Sequence, residues 1–335
     1  MQLLRMLDFP FSLIYALVLY LRNLLYDSGI LTSATLNTPT ICVGNLSVGG
    51  TGKTPMIEWL LNHLSGGSRL AVLSRGYKRK SKGYVLAQPT STAEEIGDEP
   101  LQIYSKFPEV GVAVATDRIE GIKQLETSLH PDLILLDDAY QHRKVNPSFS
   151  ILLTSYGQLY TKDWYLPTGN LRDSKNASKR ADLIVVTKCP PILDDEAKLS
   201  IIRELNPEMN QKVLFCTLEY DINLKGAKTD LSILALKKKE VTLVTGIANP
   251  KPLLEFLKSE EIRFDHRKFN DHHYFSGKEI DFFNSRPLVL TTEKDYMRLK
   301  NKVDNLYYIS VRHRFLGGGK EVIQKSLEDL SNRFL

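Results

Sequence analysis

Residues 47–54 carry the clearest chemical signal in the sequence. They read SVGGTGKT, which fits the phosphate-loop pattern GxxxxGK[ST] except that serine occupies the first position. In such a loop the backbone N–H groups surround phosphate oxygens, the lysine reaches the terminal phosphates, and the last hydroxyl contacts Mg²⁺. The expected phosphate-binding residues are Ser47, Val48, Gly49, Gly50, Thr51, Gly52, Lys53 and Thr54. The segment therefore predicts a site for a nucleoside triphosphate.

Two carboxylates follow the apolar run LILL and are the expected partners of that loop. Asp137 and Asp138 end the run, and an acid at the end of a strand beside a phosphate loop commonly holds Mg²⁺. The sequence does not distinguish which of the two binds the metal directly. The next segment, AYQHR at 139–143, is dense in side chains that bind phosphate or sugar oxygens.

The elements that must position these residues follow an α/β pattern. A β-rich run, TICVGNL, precedes the glycine-rich segment, and apolar residues at helical spacing follow it up to residue 64. Further strand-like runs lie at 70–74, 110–115, 132–138, 149–154 and 182–187. Continuous apolar runs separated by helical segments predict a mostly parallel sheet with helices on both faces, as in phosphate-loop NTPases.

A second series of strand-like runs begins near residue 240, with VTLVTGI, PLVLTTEKD and LYYISV. We therefore predict three parts. An apolar helix at 1–35 precedes a phosphate-loop core at 36–220, and a smaller α/β domain at 221–335 closes over the active site.

Composition limits the possible partners. The chain has 335 residues, of which 42% are hydrophobic and 25% charged, the profile of a globular protein with a substantial core. The net charge of +5 is too small to indicate a nucleic-acid partner. Cys42, Cys189 and Cys216 lack metal-ligand spacing, so buried thiols are expected.

The apolar run FPFSLIYALVLYL, at residues 9–21, lies between charged residues. It is shorter than the roughly 20 apolar residues that a bilayer span needs, so a spanning helix is not expected. A cleaved signal peptide is not expected either, because a signal peptide begins with a basic region and Arg5 is the only basic residue before the run. The composition suits a helix at a membrane surface or a core helix packed against the next domain.

Several motifs together resemble one family. DDAYQHR is similar to the DD-G-F-Q-H-R signature of the tetraacyldisaccharide 4'-kinase family, and VGNLSVGGTGKTP resembles its phosphate loop, including the non-glycine first position. Other similar blocks occur in the family's order: SRGYKRKSKGY, GDEP, LPTGNLRD, GIANP, DHHYF and TEKD. The resemblance spans nearly the whole chain. Ala139 and Tyr140 replace the usual Gly and Phe, which removes no charged or hydrogen-bonding group.

The resemblance implies an activity and a place in the cell. It implies transfer of the γ-phosphate of ATP, with Mg²⁺, to the 4'-hydroxyl of a tetraacylated glucosamine disaccharide 1-phosphate in lipid A biosynthesis. Such a substrate stays in the bilayer, so a peripheral enzyme on the cytoplasmic side of the bacterial inner membrane is expected. The basic residues at 75–82 would then meet headgroups or the 1-phosphate, although a solvated loop would have the same composition.

The resemblance also implies roles for individual residues. Lys53 and Arg118 are expected to act on the transferring phosphoryl group, and Asp98 with His272 is the expected catalytic base pair. Asp98 could instead cap a helix or bind metal, His272 could instead be a structural partner of Asp271, and His273 is an adjacent rival to His272. We expect Asp98 and His272 to meet only when the two domains close.

Two further groups complete the expected site. The expected Mg²⁺ ligands are Thr54, Glu99, Asp137 and Asp138. The expected substrate-binding residues are Asn45, Arg75, His142 and Arg172. An ion pair of Arg172 with Asp173 or another nearby acid is the alternative for that arginine.

Two other functions remain open at this stage. One is a cytosolic phosphate-loop kinase or ligase of a soluble small molecule, and the other is a membrane-recruited nucleotide switch. The segment VVTKCP at 185–190 resembles the guanine-reading NKxD turn but lacks its asparagine and aspartate, so specificity for GTP is not supported.

Overall fold

The computed structural model describes residues 5–64, 67–227 and 229–334. The chain forms two compact units. The first unit comprises Met1–Arg75, Glu109–Leu218 and His313–Leu335, and the second comprises Gly76–Pro108 and Glu219–Arg312.

These units differ from the predicted domains. Gly76–Pro108 belongs to the second unit and His313–Leu335 to the first, while the N-terminal helix is part of the first unit rather than a separate domain. The chain passes between the units at several points along its length. A single boundary drawn from composition cannot represent such a path, because composition shows the type of each element but not its neighbours.

The strands and helices alternate along much of the chain. The strands are β1 (Thr40–Asn45), β2 (Leu70–Ser74), β3 (Val85–Leu86), β4 (Gly111–Val114), β5 (Leu133–Asp137), β6 (Phe149–Ser155), β7 (Leu183–Thr187), β8 (Lys212–Tyr220), β9 (Asn223–Gly226), β10 (Leu231–Ser232), β11 (Val241–Thr245), β12 (Phe264–Lys268), β13 (Val289–Thr292), β14 (Leu306–Ile309) and β15 (Val311–Phe315). The α-helices are α1 (Phe9–Asp27), α2 (Lys53–Leu64), α3 (Ala93–Ile96), α4 (Asp98–Lys106), α5 (Arg118–Leu129), α6 (Asp195–Leu205), α7 (Lys251–Ser259), α8 (Gly277–Asn284), α9 (Glu293–Leu299) and α10 (Gly319–Phe334).

The sheet of the first unit confirms the predicted fold class. Its strands follow the order β15-β8-β7-β6-β1-β5-β2-β4. The pairs from β8 through β4 are parallel. Strands β1, β2 and β7 are buried along their whole length, as expected of apolar strands covered on both faces. The strand that leads into the phosphate loop therefore lies between β5 and β6.

The second unit contains its own sheet, in the order β10-β9-β14-β13-β11-β12. The neighbours from β14 to β12 are parallel, and β9 runs antiparallel to β14 and β10. Leu253 and Leu257 of α7 pack in one buried cluster with Leu243 and Leu290 of the sheet. Strands β9 and β10 were not among the predicted strand-like runs, because such short strands show little alternation of polar and apolar residues.

Helix α1 packs against the first unit through polar side chains. Ser12 Oγ donates to Thr168 Oγ1 at 2.7 Å, and the Arg22 guanidinium donates to the carbonyl of Gln141 at 2.6 Å. Asn23 donates to Asp173 at 3.0 Å. These contacts run along the length of the helix, so its polar side faces the protein.

The other side of α1 is apolar and exposed. The exposed side chains include Phe11, Leu13, Ile14, Leu17, Val18, Tyr20, Leu21 and Leu24. Leu19 and Ser12 are the buried residues of α1. A core helix buries its apolar side, so the arrangement is the reverse of the core-helix alternative.

The N-terminal helical segment is longer than the uncharged run on which the prediction against a membrane span depends. Within the described residues, Met6–Asp27 is one helix of 22 residues that is long and apolar enough to cross a membrane by length and composition. The helix extends beyond the uncharged run at both ends, so the argument from the length of that run does not exclude a span. The orientation of the helix is indicated instead by the polar contacts of Ser12, Arg22 and Asn23, which hold one side of it against the first unit.

Candidate active site

The predicted phosphate loop joins β1 to α2. Gly49 and Gly52 have positive φ angles of 126° and 89°, which glycine adopts without steric strain. The side-chain amide of Asn45, at the end of β1, donates to Thr51 Oγ1 at 3.0 Å. Lys53 is the first residue of α2, and its Nζ lies 3.5 Å from Asn45 Oδ1. The loop is therefore braced from the strand that precedes it.

The first acid of the predicted pair lies beside this loop. Asp137 ends β5, opposite Val43 of β1, and its side chain is nearly inaccessible to solvent. Ser74 Oγ, at the end of β2, donates to Asp137 Oδ2 at 3.0 Å. The carboxyl ends of three adjacent strands thus bring Asn45, Asp137 and Ser74 to one edge of the sheet.

The second acid is held by two cations. Asp138 follows β5 in a left-handed conformation, with a φ of 50°. Its carboxylate lies 3.6 Å from Lys53 Nζ and accepts from Arg172 at 3.1 Å. Burial acts to raise the pKa of Asp138, but the charges of Lys53 and Arg172 lower it to about 2. Arg172 therefore pairs with Asp138 and not with its neighbour Asp173, which pairs with Arg180.

These residues can accept a magnesium ion. Thr54 supplies a hydroxyl, and Asp137 and Asp138 supply carboxylates, which are hard oxygen donors. In the described residues no three His, Cys, Asp or Glu side chains are grouped so that they could hold a metal alone. Mg²⁺ at a phosphate loop needs fewer protein ligands, because phosphate oxygens and water complete its coordination. The donor set therefore fits this ion.

Arg118 is buried under the same edge of the sheet. It begins α5, is 2% exposed, and donates to the carbonyl groups of Ala115 and Asp137. Burial lowers its pKa to about 10, so the guanidinium still carries its charge at neutral pH. The structure thus places a fixed positive charge next to the acid pair, as the expected role of Arg118 requires.

His142 and Arg118 line a pocket of about 140 Å³ together with Lys144. Burial, followed by the charges of Arg118 and Arg75, lowers the pKa of His142 to about 4. The imidazole is therefore neutral near pH 7 and offers hydrogen bonds rather than charge. Arg75 is exposed at the end of the first segment of this unit.

The basic segment at 75–82 is divided between the two units, since Arg75 ends a segment of the first unit and Gly76 begins the second. In the second unit Lys80 pairs with Glu94 at 2.6 Å, and Lys78 donates to the carbonyl of Asp271 at 3.4 Å. These two lysines are thus tied to their own unit, and their exposure leaves them able to meet a ligand as well.

The expected catalytic pair is formed within the second unit. Asp98 is the first residue of α4, and its Oδ2 lies 2.9 Å from His272 Nδ1. The side chains are 6% and 8% exposed. Burial acts to raise the pKa of Asp98, but the bond from His272 and the charges of Arg298 and Lys294 outweigh it, so this pKa lies below its usual value. The expectation that domain closure is needed to form the pair is wrong, because both residues belong to one unit.

The structure also separates the alternatives for this pair. His273 Nε2 lies 3.1 Å from both carboxylate oxygens of Glu279, and its ring stacks on Phe269. Asp98 is not a helix cap, because Gly97 occupies the N-cap position of α4. His272 is therefore the histidine that contacts Asp98. Its backbone is left-handed, with a φ of 62°.

Helix α9 supplies two residues that the sequence analysis missed. Lys294 Nζ lies 3.1 Å from His272 Nε2 and 3.2 Å from Glu99 Oε1. Arg298 lies 3.4 Å from Asp98 and donates to the carbonyl of His273 at 2.7 Å. Lys294 belongs to the TEKD block, so a signal for it was present, but that motif had no assigned role, and Arg298 lies three residues beyond the block. The expected metal ligand Glu99 is bound to Lys294 in this structure.

Comparison with known proteins gives this site a context. The sequence profile described as LpxK, tetraacyldisaccharide-1-P 4'-kinase, matches residues 4–330. The tetraacyldisaccharide 4'-kinase of Flavobacterium johnsoniae is 48% identical over 322 residues, which cover 94% of each chain. That of Bacteroides thetaiotaomicron is 44% identical over 311 residues, covering 87% of this chain and 82% of the relative.

The chain belongs to the tetraacyldisaccharide-1-P 4'-kinase family.

A solved structure of this family extends the comparison to the fold. The apo form of LpxK from Aquifex aeolicus, in complex with ATP, matches with a TM-score of 0.82 and 31% identity. The match covers 98% of this chain and 99% of that one. The resemblance found in the sequence motifs is therefore confirmed along the whole chain, and the family's members named above are kinases.

Proposed function

We propose that this chain transfers the γ-phosphate of ATP to the 4'-hydroxyl of a tetraacylated glucosamine disaccharide 1-phosphate, a step of lipid A biosynthesis. The observation that carries the proposal is the phosphate loop, with Lys53 facing Asp138 at 3.6 Å, in a chain that the kinase family matches from end to end. The names of the relatives indicate the phosphate acceptor, and the phosphate loop indicates that the phosphate donor is a nucleotide.

The first unit holds the nucleotide in this proposal. Backbone N–H groups at 47–54 and the start of α2 bind phosphate oxygens, and Lys53 leaves Asp138 to contact the terminal phosphates. Arg118 stabilises the charge of the transferring group from its buried position. Asn45, Arg75, His142 and Arg172 bind the acceptor by hydrogen bonds and charge.

Thr54, Asp137 and Asp138 would hold magnesium in this proposal, and the remaining expected ligand, Glu99, has its carboxylate bound to Lys294 in this structure. When bound, the ion neutralises charge on the phosphates. The protein's own contribution is the position of the oxygens, because Ser74 fixes one carboxylate oxygen of Asp137 and Arg172 fixes the carboxylate of Asp138. The lowered pKa of Asp138 keeps that carboxylate ionised throughout the physiological range.

The second unit provides the proton acceptor. His272 Nδ1–H donates to Asp98, which fixes the tautomer and holds the carboxylate in place. Asp98 then accepts the hydroxyl proton as the hydroxyl oxygen bonds to the γ-phosphorus of ATP, while the bond from that phosphorus to the β–γ bridging oxygen breaks and ADP leaves. Its lowered pKa makes it a weak base, which suffices because phosphoryl transfer depends mainly on position and charge.

The exposed side of α1 supports a location at the membrane surface. A lipid with four acyl chains stays in the bilayer, and the apolar side of α1 would enter the boundary between headgroups and acyl chains. The polar contacts of Ser12, Arg22 and Asn23 tie the opposite side of the helix to the first unit. We place the enzyme peripherally on the cytoplasmic side of the bacterial inner membrane, where ATP is available.

A direct assay tests the function. Purified protein is incubated with ATP, Mg²⁺ and the acylated disaccharide 1-phosphate in detergent, and the product is examined by mass spectrometry and ³¹P NMR. We expect a gain of one phosphate at the 4'-position. Lys53→Ala, purified in the same way, serves as the control for contaminating kinases and should lose turnover by about 10²-fold or more.

Other outcomes would identify other functions. Phosphorylation of the sugar without acyl chains, at an equal rate, would favour a soluble small-molecule kinase. Hydrolysis of nucleotide with no acceptor modified would favour a nucleotide switch. Either result contradicts the proposal.

A further inference from the structure

The back of the phosphate loop is held by three side chains from outside the loop. Lys188 Nζ donates to the carbonyl of Gly50, and Thr187 Oγ1 donates to the carbonyl of Thr51 at 2.8 Å. The carbonyl of Thr154 is a second, longer acceptor for this hydroxyl at 3.3 Å, and a valine at position 154 would keep that carbonyl. His313 Nε2 lies 2.8 Å from the carbonyl oxygen of Gly52, which also accepts the first helical bond of α2 from the Met56 N–H at 3.1 Å. A carbonyl oxygen only accepts, so Nε2 carries the proton in this contact.

The contacts come from separate strands of the first unit. Thr187 ends β7 and is fully buried, and Lys188 follows it with a left-handed φ of 58°. His313 lies on β15, is 3% exposed, and has its other ring nitrogen 3.2 Å from Cys216 Sγ. Burial lowers the pKa of His313 to about 4, so the ring is neutral and has one N–H to give.

We propose that Thr187, Lys188 and His313 are positioning residues for the phosphate loop, here called the carbonyl clasp. A carbonyl group and the N–H of the following residue share one rigid peptide plane. Holding the carbonyl groups of Thr51 and Gly52 on the back of the loop therefore directs the N–H groups of Gly52 and Lys53 to the front. The inference rests on the proposed function in one respect, that ATP binds at this loop.

Close packing strengthens this reading. A Cβ at Gly52 would lie 2.8 Å from the His313 ring, so the ring and the loop backbone are already at contact distance. A valine would fill the space of Thr187, but it could not donate to Thr51. Bonds to the polar peptide units also polarise them, which strengthens the N–H groups that face the phosphates.

The clasp gives a use to a motif that had none. The VVTK segment resembles a guanine-reading turn but lacks the residues that read the base. Its threonine and lysine contact the loop backbone instead, and backbone contacts carry no base preference.

The first test replaces the threonine. Thr187→Val is expected to weaken ATP binding about three- to tenfold, measured by calorimetry, with Thr187→Ser close to the original protein. The matched control is Thr154→Val, a buried threonine on the neighbouring strand whose hydroxyl accepts from the Tyr160 N–H and does not touch the loop. It should lower the melting temperature as much as Thr187→Val and leave ATP affinity unchanged. The clasp is contradicted if Thr187→Val binds ATP as tightly as the original protein does. It is also contradicted if the two valine variants lose the same amount of ATP affinity.

The second test uses the histidine, in case a valine variant fails to fold. His313→Gln can still donate to Gly52 and should keep most ATP affinity, whereas His313→Phe keeps the volume and should lose about tenfold. Equal affinity in these two variants contradicts the role of His313. If the original protein binds no ATP, the proposed function fails. If it binds ATP and every clasp variant binds equally, only the clasp fails.

Discussion

Asp98 and His272 are close enough to act as one group, and this makes their variants informative. Asp98→Ala and His272→Ala are each expected to lower kcat about 10²- to 10³-fold, because the acceptor for the hydroxyl proton is lost or displaced. The dissociation constant for ATP should change little. The double variant should lose much less than the product of the two effects, since either change already disables the pair.

The matched control for this prediction is His273→Ala. It removes the adjacent histidine, whose partner is Glu279 rather than Asp98. Turnover should stay within a few-fold of the original. Multiplicative losses in the double variant, or a deep loss in His273→Ala, would assign the base elsewhere.

Sequence reasoning reached most of these residues but not their partners. The phosphate loop and the acid pair were predictable because a short stretch of chain fixes their geometry. The choice between His272 and His273 was not, since adjacent histidines differ only in where the backbone turns them. Likewise Arg172 joins Asp138 across a long loop, while the nearer Asp173 takes Arg180. Contacts between distant residues depend on the fold, which no local pattern specifies.

Helix α9 holds the catalytic pair in place, because Lys294 contacts His272 and Arg298 contacts Asp98. Lys294→Met is expected to lower kcat about tenfold with little change in ATP affinity, because His272 loses the ammonium group 3.1 Å from its Nε2. Lys294→Arg should recover part of the loss. Steady-state kinetics with both substrates varied would separate kcat from KM.

Lys106→Met is the control for α9. Lys106 pairs with Glu293 at 3.2 Å, so it joins α4 to α9 without contacting the histidine. If its loss matches that of Lys294→Met, packing between the helices explains both, and the contact with His272 has no separate role.

The exposed side of α1 gives a second prediction for an element. Changing Leu17 and Val18 to serine together should reduce binding to vesicles of anionic and neutral phospholipid about tenfold, because two apolar side chains no longer enter the lipid. Leu17 and Val18 are 57% and 58% exposed, so folding should be unaffected. Vesicle sedimentation measures the effect.

Leu234→Ser is the control for α1, as a leucine of the second unit that is 61% exposed. It should bind vesicles like the original. Unchanged sedimentation of the Leu17 and Val18 variant would mean that α1 is a structural helix.

The elements themselves were largely predictable. Runs such as LAVLS and DLIVVT became fully buried strands because long apolar stretches have few other places in a soluble fold. The face that α1 turns to the protein was not predictable, since its apolar and polar residues suit either direction. Ser12, Arg22 and Asn23 decide it through partners far along the chain.

For the whole molecule, buried neutral histidines predict the effect of pH on stability. The pKa of His313 is about 4 when folded, against an ordinary value of about 6.5. As the pH falls, the His313 side chain therefore takes up a proton at a higher pH in the unfolded chain than in the folded one. The contribution of His313 to the free energy of unfolding is complete above pH 6.5 and is lost progressively toward pH 4. The loss is on the order of 1–2 kcal/mol by pH 5.

Urea denaturation at pH 7 and pH 5 tests this effect. The free energy of unfolding should fall less between the two values in His313→Gln, because glutamine does not titrate. His142 titrates in the same direction and is present in both proteins, so it cancels in the comparison. An equal fall in the two proteins would show that His313 is protonated alike in the folded and unfolded states.

The division of the chain into two units was the least predictable feature. The sequence near residue 220 changes character and a boundary lies there, but Gly76–Pro108 and His313–Leu335 each join the unit that composition did not assign to them. Their membership follows from which strands and helices they pack against. Asp98 illustrates the consequence, because its segment places it in the second unit, in contact with His272.

This path of the chain has a consequence during translation. A nascent chain carries the phosphate loop early, but β15 and His313 emerge from the ribosome only near the end. Until then β8 has no neighbour on one side of the first sheet, and the carbonyl of Gly52 lacks its contact with His313. Free strand edges invite wrong pairing, so prematurely terminated products should bind ATP poorly and be recognised by chaperones or proteases.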